Sequence, residues 1–458
     1  MFENQSRRAF LQRASALGIA GAATPFVTSL GLIGEAAAAT ASDYKAMVCI
    51  FLFGGCDQAN TLPPYDAANF NIYQSLRSTI AYNREALAAT VLRPNVALAG
   101  GNQYALAPAM APLLPVFDAG RMAVMLNVGA LIQPTTKAQY SARSVPLPPK
   151  LFSHNDQQSF WQSSSPEGAR SGWGGRMGDL LQSGNGSATL TCINASGNAV
   201  YLSGQSAVQY SVGSAGPVAL NNNSSNLFSS AAANTALRSM IVAPQTRLLE
   251  NEYTRLTKRS LDTYSQVSVA LGGGPAITTP FPTGNSLADQ LRIVARLISV
   301  SQELGAKRQV FFVSLGGFDL HDNLVGTQPV LLGRVADAMR AFYDATVELG
   351  VASRVTSFTA SDFGRTLVNN VGGSDHGWGS NHFVMGGAVN GGRFYGAPPV
   401  LANNGPDDVG QGRLLPTTSV DQYAATLANW FGITAGNMGT VLPSIGNYSA
   451  AARNLGFI

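Results

Sequence analysis

The 458-residue chain holds four histidines, His154, His321, His376 and His382, and each sits in a compact polar or glycine-rich motif. GGFDLHDN gathers Asp319, His321 and Asp322; GGSDHGWGSNHFVMGG gathers Asp375, His376 and His382; LFSHNDQQSFWQ gathers Ser153, His154, Asn155 and Asp156. A carboxylate and an imidazole so close on a tight loop can face one ion, with the second ring nitrogen oriented by a neighbour. Two more aspartates end apolar runs, Asp57 in GGCDQANT and Asp362 in TASDFGRT. Carboxylates crowded at one edge repel unless cations neutralise them, so the pattern points to a metal site with Asp57, Asp319, His321, Asp362, His376 and His382 as ligand candidates.

Each residue also has a plainer reading. Asp57 suits a helix N-cap or an Asx turn after a glycine bend, and the Asp319 loop suits a polar turn. His382 can be a packed histidine, and His376 can orient a ligand rather than be one. Ser153 with Asp156 reads as a capping pair at a helix start. The same Ser153, beside His154, reads as a nucleophile, because a helix N-terminus and nearby cations favour its alkoxide and an incoming phosphate or sulfate group. Arg365 reads as a clamp on an anionic substrate or as a partner of Asp362, and Arg176 as a further anion-binding candidate.

The elements that must carry these residues alternate. The apolar runs 45–53, 123–128, 309–315 and 354–359 look like strands buried on both faces. Helices are expected near 109–117, 243–266, 286–304 and 329–349, and a capping box at Ser419 and Gln422 opens another that closes at Gly432. Strand, helix, strand, helix implies right-handed crossovers and a doubly wound, mostly parallel sheet, with ligands bound beyond the carboxyl ends of its strands. Residues from about 183 to 285 are rich in Ser, Asn, Gly and Ala, and read as an insertion or lid with small strands near 199–202 and 208–212.

Composition bounds the rest. Ser6, Arg7, Arg8 and an apolar run from Ala14 to Ile33, with Ala-x-Ala frames before Thr40, form a twin-arginine signal over residues 1–39. That predicts export to the periplasm or beyond, with the twin-arginine translocase as a partner. No other segment has the ~20 apolar residues of a spanning helix, so no stable membrane span is expected. The formal charge of +4 includes signal arginines and implies no nucleic-acid partner. Three cysteines are too few for a disulfide framework, although a Cys56 to Cys192 bridge is open in an oxidising compartment.

Taken together, the twin-arginine leader, the GG-x-D turn, SHNDQ, GGFD-x-H, SDFGRT and DHGWGSNHF resemble the bacterial domain of unknown function 1501 family from about Lys45 to the C-terminus. That family in turn is similar to the alkaline-phosphatase and sulfatase superfamily. The resemblance implies a three-layer α/β/α sandwich over residues 40–458 and one or two divalent ions, zinc, manganese, magnesium or calcium. It places Asp57 and Asp362 on one metal with Ser153 as nucleophile, and Asp319, His321 and His382 on the other. The histidine that usually follows the aspartate matched to Asp362 is Phe363 here, so His376 or His154 would take that position. No Cys-x-Pro-x-Arg sulfatase signature occurs. The expected function is an exported metal-dependent hydrolase or transferase of phosphate or sulfate esters, with Ser153, His154 and Arg365 as catalytic residues and a small anionic ester or envelope polymer as substrate. The alternative is an exported, non-catalytic binding or envelope-assembly protein that keeps the fold.

Overall fold

The computed structural model describes residues 44–220 and 229–458. The expected signal lies outside the described residues. Among the described residues twelve strands occur: β1 (Lys45–Leu52), β2 (Met122–Gly129), β3 (Cys192–Asn194), β4 (Tyr210–Gly213), β5 (Gly216–Pro217), β6 (Arg308–Leu315), β7 (Val355–Ser361), β8 (Arg365–Asn369), β9 (Ser374–His376), β10 (Ser380–Gly386), β11 (Arg393–Tyr395) and β12 (Thr418–Ser419). Ten form one sheet in the order β11-β2-β10-β7-β1-β6-β3-β4-β5, with β12 beside β2, while β8 and β9 pair separately. β1 lies parallel to both β6 and β7, and β3 continues the parallel set. β10 runs antiparallel to both its neighbours. The molecule is therefore a mixed α/β fold on a mostly parallel central sheet.

The helices that matter below are α1 (Gln58–Thr61), α2 (Ala67–Leu76), α3 (His154–Ser163), α4 (Trp173–Leu181), α5 (Leu248–Gly273), α6 (Ser286–Ser299), α7 (Leu324–Glu348) and α8 (Val420–Phe431). Alternation along β1 explains how they pack. Ala46, Val48, Ile50 and Leu52 face one apolar cluster with Leu291 and Val294 of α6 and Val335 and Met339 of α7. Met47, Cys49 and Phe51 face a second cluster with Met177 and Leu180 of α4 and Tyr423 and Leu427 of α8. A central strand covered on both faces has no polar side to show, which is why these strands read as continuous apolar runs.

The four long expected strands are present within one or two residues of their expected ends, and α8 has its capping box, with Gly432 closing it at φ 120°. Other expectations change. The helix near 109–117 is a 3-10 turn, Pro108–Leu113, followed by Leu114–Asp118, because Pro112 and Pro115 withhold backbone donors. α7 starts at Leu324 and runs through Pro329, where Val325 and Val330 face solvent, so the carbonyl left without a helical donor lies on the exposed face. Residues Val200–Leu202 form a 3-10 turn rather than a strand, with Tyr201 packed edge-on against Trp173 at 4.7 Å. The Ser/Asn-rich segment does more than lie over the sheet, since β3, β4 and β5 extend its edge. Cys56 and Cys192 are buried free thiols, not a disulfide. No helix among the described residues is long and apolar enough to cross a membrane.

Candidate metal centre

Strands β6 and β7 deliver the central carboxylates. Past β6, the Gly316–Gly317 turn presents Asp319 and His321, and past β7 stands Asp362. Beside them Gly54, just beyond β1, holds φ 113°, and a Cβ there would lie 2.4 Å from the Asp319 backbone nitrogen. Only glycine lets the strand ends approach so closely. Its N–H donates to Asp362 Oδ1 at 3.1 Å and its carbonyl accepts from Arg365 at 3.2 Å, so one residue ties three motifs together. The β8–β9 hairpin folds back and places His376 opposite Arg365. His154 enters from the first turn of α3.

Three imidazoles converge on Asp319. Its Oδ1 lies 3.0 Å from His321 Nε2 and 3.3 Å from His376 Nε2, and its Oδ2 lies 3.4 Å from His154 Nε2. His376 Nε2 stands 3.1 Å from His154 Nε2 and 3.0 Å from His321 Nε2. Every Nδ1 is held from behind, His154 by Asp362 Oδ2 at 2.6 Å, His321 by Asp375 Oδ1 at 2.9 Å and His376 by the Phe152 carbonyl at 2.8 Å. These acceptors call for the proton on Nδ1, which turns each Nε2 lone pair toward Asp319. Lone pairs ~3 Å apart repel, and either a second proton on one ring or a shared cation must relieve them. His154, Asp319 and His376 bring their ligand atoms within 4.8 Å of one another and form a group placed to hold a metal ion. Imidazole with one carboxylate suits a borderline divalent ion.

Electrostatics follow the same arrangement. The Asp362 hydrogen bond lifts the His154 imidazole above its ordinary range, against partial desolvation. Desolvation lowers His376 despite the Phe152 carbonyl. At Asp319 partial burial works upward, but the Arg365 hydrogen bond and charge, with His154 and His321, hold the carboxyl below its usual range. Asp375 is likewise held low, its partial burial outweighed by His321 and Asn370.

The expected residues thus divide. Asp319, His321 and His376 meet, and His154 joins them at the ligand position itself. Asp362 is fully buried and stands behind His154, where it also accepts from Gln158 Nε2 at 2.7 Å. Arg365 does not face an incoming anion. Its side chain is buried and donates to Asp319 Oδ1 at 2.7 Å, to the Gly54 carbonyl and to the Ser374 carbonyl. Asp57 is outside the cluster, capping α1 through the Asn60 N–H while its other oxygen accepts from Arg77 at 2.6 Å and Ser374 at 2.5 Å. Both oxygens are therefore committed. His382 is in the core, 1% exposed, with its ring 4.7 Å from Trp161 and stacked on Tyr423. Ser153 occupies the N-cap of α3, yet its hydroxyl donates to Asp156 Oδ2 at 3.0 Å instead of accepting a backbone N–H. Arg176 donates to the Ser163, Ser171 and Val441 carbonyls and serves the fold. Asp375 was named in its motif but given no role, and Gln158 was not singled out beforehand. Asp375 adjoins His376, and Gln158 stands one helical turn after His154, so both had a readable signal.

A family model described as protein of unknown function (DUF1501) matches residues 44–445, most of the chain. The chain belongs to the DUF1501 family. No curated protein matches this DUF1501 chain significantly. Among solved structures, Ps i-CgsB in complex with k-i-k-neocarrahexaose resembles it at 10% identity and a TM-score of 0.35, covering 89% of this chain and 77% of the other. A Bacteroides thetaiotaomicron structure, described under metabolism of multiple glycosaminoglycans, resembles it at 10% identity and a TM-score of 0.34, covering 88% and 74%. Likeness at this level decides neither the fold family of the DUF1501 chain nor its chemistry.

Proposed function

We propose that the protein is an exported, metal-dependent hydrolase or transferase of phosphate or sulfate esters, built on an alkaline-phosphatase-like α/β/α arrangement. One observation carries the reading: three imidazoles, each held at Nδ1, turn their Nε2 atoms onto the single carboxylate of Asp319. His154, Asp319 and His376 would hold one ion, with His321 beside them. Of the residues a second ion would need, Asp57 has both oxygens committed and His382 lies in the core away from the cluster, so about one ion per chain is expected. When bound, a divalent ion there would act as a Lewis acid on a phosphoryl or sulfuryl oxygen.

The chain's own groups supply the remainder. Ser153 lies between Phe152, which orients His376, and His154. Its hydroxyl already donates to Asp156, a buried carboxylate placed to take the proton as Ser153 Oγ attacks the phosphorus or sulfur. The ester P–O or S–O bond breaks, and the departing alkoxide leaves with a proton from solvent; water, or another acceptor hydroxyl in a transferase, then cleaves the seryl ester. Backbone N–H groups of the first turn of α3 favour the negative charge that collects there. Arg365 and Asp362 hold Asp319 and His154 in place without touching substrate.

The test is metal analysis of the exported protein by mass spectrometry, with an ester-hydrolysis screen in zinc, manganese, magnesium and calcium. About one ion per chain, lost together with turnover in Asp319→Ala, supports the reading. Metal content and activity that both survive Asp319→Ala would sink it. A second reading, an exported binding or envelope-assembly protein with a structural ion, is favoured by Phe363, whose ring lies 4.8 Å from both His154 and His376 and lines the cluster with apolar surface. It predicts a retained ion with no turnover of any ester.

A further inference from the structure

The segment that leads into Ser153 borders a cavity of about 630 Å³, lined by Tyr140, Arg143, Val145, Leu147, Lys150 and Leu151 among others. Its floor is apolar, because Tyr140, Leu147, Leu151 and Phe152 pack on a small cluster around Trp378. That cluster joins the cavity to the metal centre. Trp378 lies two residues after His376, and the Phe152 carbonyl orients the His376 ring. Lys150 Nζ lies 3.7 Å from Asp156 Oδ2, the same oxygen that accepts from Ser153 Oγ at 3.0 Å. A cation therefore stands beside the candidate nucleophile, and its side chain is 69% exposed. The Arg143 side chain is exposed and has neither a hydrogen bond nor an ion pair among the described residues. Arg143, Lys150 and Phe152 all hold positive φ, 49°, 46° and 71°, so packing rather than local preference sets the course of this loop.

We infer that this cavity is a leaving-group subsite for an ester whose leaving group is a ring or apolar chain bearing a second negative charge. The apolar floor receives the ring, Tyr140 offers an aromatic face, and Arg143 and Lys150 meet the distal anion. The inference rests on the ester reading of the adjoining centre and deepens it. A simple monoanionic leaving group of the same shape would use the floor but not the two cations.

Two non-hydrolysable probes separate the outcomes: phenylphosphonate and 4-carboxyphenylphosphonate, titrated calorimetrically into the full chain supplied with zinc. The carboxylated probe is expected to bind about fivefold to tenfold more tightly, a modest factor because the cations are solvated. In Arg143→Gln and in the Arg143→Gln, Lys150→Gln double variant that preference should collapse, while phenylphosphonate affinity in Arg143→Gln stays unchanged. Equal affinities in the native protein, or a preference that survives the double variant, would overturn the subsite and leave the ester reading standing. Binding of neither probe would overturn the ester reading itself, and the subsite with it.

Discussion

His376 and His382 stand six positions apart, on either side of Trp378, and their surroundings are opposite. His376 sits in the β8–β9 hairpin at the open edge of the sheet, one ring nitrogen held by a carbonyl and the other facing Asp319. His382 sits in β10, inside the sheet, between Trp161 and Tyr423, and its Nε2 has no partner among the described residues. Burial pushes its pKa down to about 3. What separates them is whether neighbouring strands end or continue. Where β6 and β7 end, backbone and carboxylates are free to aim a ring at an ion; where β10 runs on between β2 and β7, the ring has aromatic packing and one hydroxyl contact, Thr359 Oγ1 at 3.3 Å from its Nδ1.

That contrast can be broken or sharpened by substitution. The largest effect is expected at the ligands: Asp319→Ala or His154→Ala should abolish stoichiometric metal, read by mass spectrometry after dialysis, whereas His382→Phe should retain it. Next comes Asp362→Asn, which leaves His154 in place but weakens what holds its Nδ1. A drop of 10- to 100-fold in metal affinity is expected, roughly the cost of losing such an outer partner, and competition with a chromophoric chelator measures it. Third is the pH response of His382. Its folded pKa lies below the unfolded value, so its neutral form is favoured by folding; the stability it contributes is complete above the unfolded pKa and is lost as pH falls below it. Between about pH 7.5 and about pH 5 the loss is about 2 kcal/mol. Denaturant titrations of the metal-free protein should show a slope that His382→Phe removes; an identical slope in both would place the buried proton elsewhere. The smallest effect belongs to Gln158→Leu, which deletes one of two side-chain donors to Asp362 Oδ2 and should weaken metal binding only a few-fold, about 1 kcal/mol.

Much of the scaffold was legible. β1, β6 and β7 announce themselves because a strand covered on both faces is written in apolar residues alone, and the capping box of α8 is local chemistry. The site was legible in its residue types and not in its assignments. Asp57, Asp319 and Asp362 follow the same layout of apolar strand and small-residue turn, yet of the three only Asp319 meets the converging Nε2 atoms, while Asp362 holds His154 from its Nδ1 side. Asp57 is claimed by Arg77, twenty residues on at the C-cap of α2, and no periodicity shows which of three equivalent carboxylates a distant arginine will reach. Arg365 was misread for the same reason: a guanidinium near an aspartate in sequence pairs with one 46 residues away in the fold. His382 differs in kind, since its motif resembles that of His376 and only the direction of the strand turns it inward.

The metal-binding group also carries a timetable. His154 and His376 are 222 residues apart, and at roughly 5 to 20 residues per second of synthesis the second follows the first by about 10 to 45 s. Throughout that interval a growing chain offers the His154 imidazole and then the Asp319–His321 loop, without the His376 ring that stands between the other two imidazoles. A partial chain ending before β9 lacks His376 and should therefore hold an ion less firmly than one that includes it, so full capture of the ion waits on the β8–β9 hairpin.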